Sequence, residues 1–331
     1  SIYVQGTNAS LIARYHDGEG GGGYTTTIGA LPGDDDDKLN VTLQNATAVV
    51  FNNTNLEHLG TINASNAGNG EVTISAAVTK GHVGAIGGTA RIATFTTSGT
   101  GSSYDNNIKA TTITVAGTST FGGDLDATTL NVNFASTFGG AVTATTTANV
   151  KAASTFSSTL DTTTLNVEAA STFDGAVTAT TKIEVKANST FSDVVTSPTF
   201  NVATGKTATA NGKMNIYSGT ITGTLTGSGD IHLTETEGPG TLTVVTGGAL
   251  TGNKNITTYA TNQGTLTLNS AVSSGDIKQI GASGTALGTV NVNHAGDNTF
   301  ASAIYSNSLI FDTGADGDLN GATVVNNLRI N

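Results

Sequence analysis

Cysteine and tryptophan are absent from this 331-residue chain, methionine occurs once (Met214), and there are only three prolines and three arginines. Without cysteine there is no disulfide framework, no thiol nucleophile and no cysteine-based metal site. The arginines, Arg14, Arg91 and Arg329, are scattered, and the net charge is −11. With no basic stripe to displace counterions from phosphates, nucleic acid is not an expected partner. No apolar run reaches eighteen residues, so no membrane-spanning segment is expected. The histidines His16, His58, His82, His232 and His294 show no metal-ligand spacing, and neither HExxH nor GxSxG occurs. The chain therefore carries no recognisable enzyme motif, and the expectation is a non-enzymatic protein.

Charged residues make up 11% and aromatics 5%, against 43 glycines. That balance is polar without the charge excess or proline content of a disordered chain. What is abundant is repetition. Phe121, Phe138, Phe156, Phe173 and Phe191 each follow Ser-Thr, at spacings of 17, 18, 17 and 18. Fixed-period self-similarity of this kind marks a solenoid, in which each unit stacks on its neighbours. Within one unit Phe156 and Leu160, then Leu165 and Val167, occupy short alternating apolar sets separated by Ser, Thr and Asn. Alternation in a Thr- and Val-rich context is the signal of a strand with one face inward, and no window has helical spacing. The reading is an all-β, repetitive β-solenoid resembling a parallel β-helix, with a less regular N-terminal segment. The five phenylalanines should stack inside it, with Thr and Asn outward as ladder filler.

Composition shifts suggest four regions. Residues 1–40 combine a strand-like stretch, with apolar Ile2, Val4, Leu11, Ile12 and Tyr15, with a glycine-rich joint at Gly18–Tyr24 and the acidic run Asp34–Asp37 before Lys38. Residues 41–107 read as irregular short strands, and residues 108–204 hold the 17/18-residue repeats. From 205 to 331 the period lengthens: Gly240, Gly264 and Gly288 open three similar strands 24 residues apart.

These later strands carry a resemblance. The G-T-[LV]-x-[VL] strands at Gly240, Gly264 and Gly288, the stretch GALTGNKNITT from Gly248 and LIFDTGADGDLNGATV from Leu309 resemble the passenger regions of rickettsial-type autotransporter surface antigens. That resemblance implies a β-helical, secreted or cell-surface protein serving as a surface layer or adhesin. No translocator barrel is visible. The Ser-Thr-Phe repeats also look like segments of phage tail fibres.

One stretch suggests a metal. Asp316-Gly317-Asp318-Leu319-Asn320-Gly321 matches the first half of a calcium loop, where oxygen ligands alternate and glycine permits a tight turn. The twelfth position is Asn327 rather than Glu, so the site expected is not an EF-hand. Asp312, Asp316, Asp318 and Asn320 are the expected calcium ligands. Among the repeat carboxylates Asp124, Asp126, Asp161 and Asp174, the 35-residue spacing of Asp126 and Asp161 leads to the expectation that these two stack as outward neighbours. The functional expectation is an extracellular structural protein that self-assembles through strand edges into an S-layer-like coat or filament, so that its partner is itself. The alternative is an adhesin or fibre-like module for a cell-surface polysaccharide or host receptor.

Overall fold

A computed structural model describes residues 10–14, 25–28, 39–44, 48–52, 59–78, 84–234 and 239–331. Among these there is no helix, and every strand pairing is parallel. The β-solenoid read from the repeats is the fold. The chain divides into two compact units, Ser1–Thr162 and Thr163–Asn331. Each is a stack of parallel coils.

In the first unit one coil consists of a short strand, Ser119–Phe121, and a longer one, Leu125–Val132. Along the longer strand Leu125, Ala127, Leu130 and Val132 are buried, but Thr128 and Thr129 both face outward. Two consecutive outward residues break the period of two, and the strand turns a corner there. The next coil has nine residues in the equivalent strand, Val142–Val150, and three consecutive outward threonines, Thr145 to Thr147. Register runs Ala127 to Ala144, then Thr129 to Thr147, so the added residue sits at the corner. This explains the 17/18 alternation. The extra residue is absorbed as a bulge where no inward side chain has to move.

Identical inward positions superpose. Tyr104, Phe121, Phe138 and Phe156 form a buried file whose successive ring centroids lie 5.1, 5.1 and 4.5 Å apart with nearly parallel planes. At its start the Tyr104 hydroxyl donates to Thr97 Oγ1 at 2.6 Å, and burial pushes the phenol up to about 12. In the second unit Phe173 and Phe191 stack in the same way at 4.9 Å. Ala210 is the register partner of Phe191 in the following coil, and Phe200 meets Phe191 edge-on at 5.8 Å.

The serines of the Ser-Thr-Phe triplets are buried. Ser136 Oγ accepts from the Ser119 amide at 3.1 Å and donates to the Phe134 carbonyl at 3.1 Å. Ser154 does the same for the Ser136 amide and Ala152 carbonyl, and Ser189 for the Ser171 amide and Ala187 carbonyl. Each hydroxyl thus satisfies two backbone groups where the ladder is interrupted at a corner. Glycine is needed nearby for a different reason: a Cβ on Gly140 would run into the carbonyl of Gly123 in the coil before it.

The 24-residue period is also one coil. Leu242, Leu266 and Val290 are successive register partners, as are Val244, Leu268 and Val292, and all are buried. In the first unit, Ser10–Arg14 pairs with Asn40–Gln44 and Thr25–Ile28 with Ala48–Phe51. The glycine-rich joint and the Asp34–Lys38 run lie outside the described residues.

Candidate functional site

Among the described residues the strand Thr323–Ile330 is paired along one edge only, to Ile304–Phe311. Its sequence alternates as the other long strands do, and register aligns Leu328 with Leu309 and Ile330 with Phe311. Leu309 is fully buried and Phe311 is 5% exposed, whereas Leu328 is 54% and Ile330 72% exposed. Leu328 and Ile330 continue the inward columns, and among the described residues no coil lies over them. Val324, aligned with Tyr305, is also exposed. The result is an exposed apolar surface beside a strand edge that, among the described residues, has no partner strand.

The expected calcium ligands lie close by in sequence but are arranged otherwise. Ala315–Leu319 is a strand, paired in parallel with Gly296–Phe300, rather than a loop. Asp316 and Asp318 are exposed at alternate positions of it, about 6–7 Å apart along the strand. Asn320 follows, its amide bonded to the Phe300 carbonyl at 2.9 Å. Asp312 sits in the preceding turn and accepts from the Thr313 amide at 2.9 Å. An extended strand keeps these oxygens in a row instead of wrapping them round one ion. Gly317 has a role other than a tight turn: a Cβ there would overlap the ring of Phe311. Among the described residues no group of three His, Asp or Glu side chains is placed to hold a metal ion.

The Asp126–Asp161 pair does not stack as neighbours. A separation of 35 residues is two coils, and the register partner of Asp126 in the next coil is Thr143. Asp126 instead pairs with Arg91, whose guanidinium also donates to Thr128 Oγ1 at 3.3 Å.

Sequence reasoning missed the main titratable anomaly, Lys254. It occupies an inward position and is 1% exposed. Its Nζ donates to the Thr226 carbonyl at 2.8 Å and to the Gly227 carbonyl. Burial lowers its pKa to about 8, with the Asp230 carboxylate acting the other way. Asp230 in turn accepts from the amide and the Nδ2 of Asn255 at 3.0 Å. His232, which contacts Thr257 Oγ1 through Nδ1, is lowered by burial and then by Lys213. A usable signal existed: Lys254 stands two residues before Ile256, at the position an alternating strand reserves for its core face. The ammonium acts as a fixed donor to two carbonyls of the coil before it. Enclosure at 1% exposure leaves no room for a substrate.

Comparison with protein-family models, curated proteins and solved structures returns no match. The likeness to autotransporter passengers therefore rests on the stretches from Gly240, Gly248 and Leu309 alone.

Proposed function

We propose that this chain is an extracellular structural protein that associates with copies of itself, through strand-edge contacts, into a surface coat or filament. The observation that carries this reading is the uncovered pair Leu328 and Ile330, in columns that are buried one coil earlier. An open strand edge beside apolar side chains is a template for another chain, and natural folds blunt such edges when association is unwanted. Thr323–Ile330 has one charged residue, Arg329, and no proline to do so. The extracellular placement rests on the surface-antigen resemblance and on outward faces built of Thr and Asn. Cross-coil ladders such as Asn149 to Asn131 at 3.0 Å and Asn293 to Asn269 at 2.9 Å run on those faces.

The alternative, a polysaccharide- or receptor-binding module, has less to support it. Among the described residues the large exposed aromatics are Phe134 and Tyr259, one in each unit. Calcium is not carried into the proposal.

Sedimentation velocity over a wide concentration range, with electron microscopy of the same samples, tests the assembly reading. The parent should form ordered multimers, and Leu328→Asp with Ile330→Asp should stay monomeric with an unchanged circular dichroism spectrum. A parent that remains monomeric at every concentration overturns it.

A further inference from the structure

We infer that one outward sheet face of this chain is a docking surface for ice. In the second unit Thr241 and Thr243 flank the buried Leu242, and register carries them to Thr265 and Thr267, then to Thr289 and Asn291. In the other direction the same two files run to Ser218 and Thr220, then to Thr199 and Asn201. The first unit repeats the arrangement by itself. One file holds Thr94, Thr112, Thr129 and Thr147. Its companion, two residues further along each strand, holds Thr96, Thr114, Asn131 and Asn149. Neither array contains a charged side chain, in a chain with 24 acidic and 13 basic residues. The second array begins where charge stops: Lys182 and Glu184, 3.6 Å apart, are the register partners of Thr199 and Asn201 in the coil before. Across the corner of the same coils charge is admitted, Lys109 and Asp126 being register partners there.

The files repeat in two directions, with about 4.8 Å between coils and about 6.6–6.8 Å between alternate residues of a strand. Both spacings approximate oxygen repeats on a prism face of hexagonal ice. Threonine is stiff at χ1, so hydroxyl and methyl are presented alike coil after coil. The coils also turn little against one another. Planes of successive stacked phenylalanines differ by only 5°, 9° and 7°, whereas neighbouring strands of an ordinary sheet rotate by roughly 20–25°. Coil length changes from Thr199 to Ser218, to Thr241 and to Thr265, yet register keeps each pair in its files, so the turns absorb the difference. An uncharged, doubly periodic array complements a partner that is itself uncharged and periodic. A small solute meets one or two of these positions. A crystal meets all of them, and many weak contacts then act together. The inference uses sheet faces rather than strand edges and stands apart from the assembly reading.

The test grows ice slowly on a cold finger from a solution of the full chain mixed with an inert reference protein, and measures how much of each enters the ice. The parent should be enriched roughly tenfold over the reference, because many contacts engage at once. A variant carrying Thr112→Lys, Thr129→Lys, Thr243→Lys and Thr267→Lys should fall to the reference level. Its matched control carries Thr120→Lys, Thr137→Lys, Thr172→Lys and Thr190→Lys, equally charged substitutions in the outward file of the short strands, and should keep the parent's enrichment. Circular dichroism checks that all three chains are folded. Thr243→Gln with Thr267→Gln, which adds length without charge, should lower enrichment in a chain whose fold is not in question. A parent no more enriched than the reference would overturn the proposal. Equal enrichment of parent and array variant, or equal loss in the matched control, would overturn the assignment to this face. The same samples are mixed with microcrystalline cellulose and chitin; retention there without enrichment in ice would replace ice by a crystalline polysaccharide.

Discussion

The coils around Phe138 and the coil that holds Leu328 follow one pattern of alternating inward side chains, with opposite outcomes. In the first, Phe138 has Phe121 on one side and Phe156 on the other, and all three rings are almost completely buried. In the second, Leu328 and Ile330 have a coil on one side and stand more than half exposed. Burial in a solenoid is conferred by the next coil along, not by the strand that bears the residue. Local sequence chooses the inward face. Only a neighbour makes that face an interior.

The largest effect that would sharpen this contrast is Phe138→Ala. Losing a ring stacked on both faces should destabilise the first unit by about 3–5 kcal/mol in chemical denaturation. A change below about 1 kcal/mol would mean that the file relaxes into the gap and that burial on two sides is not what the ring contributes.

Ser136→Ala should come next. It removes the acceptor of the Ser119 amide and a donor to the Phe134 carbonyl. Leaving buried backbone groups unpaired costs about 1–3 kcal/mol. Ser136→Thr keeps the hydroxyl and should recover part of that loss, whereas equal destabilisation by both variants would implicate volume rather than the hydrogen bonds.

Lys254 gives a smaller, pH-dependent effect. In the folded chain it releases its proton near 8, and once unfolded it holds that proton up to its ordinary 10.5. Between those values the unfolded state binds more protons, so stability should rise with pH. Below 8 both states are protonated, the slope from this group vanishes, and the cost of enclosing the charge is felt in full. Denaturation midpoints at pH 7.5 and 9.5 should move further apart for the parent than for Lys254→Met. Equal shifts would show that the ammonium is not enclosed as described.

The smallest expected change is in the terminal coil. Leu328→Ala under conditions where the chain is monomeric should cost about 1 kcal/mol or less, because half of the side chain is already in water. The same substitution should weaken assembly far more than it weakens folding. A monomer destabilised as much as by Phe138→Ala would erase the distinction between covered and uncovered columns.

Much of this architecture was legible in the residues. Ser-Thr-Phe at alternating intervals of 17 and 18 announced coils of nearly constant length, and Phe156, Leu160, Leu165 and Val167 announced their inward face. The strands at Gly240, Gly264 and Gly288 announced a longer coil. Less legible was what each polar residue does. Ser136 and Thr137 are adjacent and chemically alike, but one closes a corner from inside while the other faces out. Asp316 to Gly321 has the composition of a cation loop, but parallel pairing to Gly296–Phe300 draws it into a strand.

The period and alternation of inward residues thus follow from the sequence alone, because a strand repeats every two residues and a stack superposes equivalent positions. Tertiary structure decided where the added residue of the 18-residue coils is absorbed, which hydroxyls turn inward, and that a lysine at position 254 reaches carbonyls 27 and 28 residues earlier. Those outcomes depend on hydrogen bonds between successive coils, and a donor and an acceptor a whole coil apart become neighbours only once the coils have stacked.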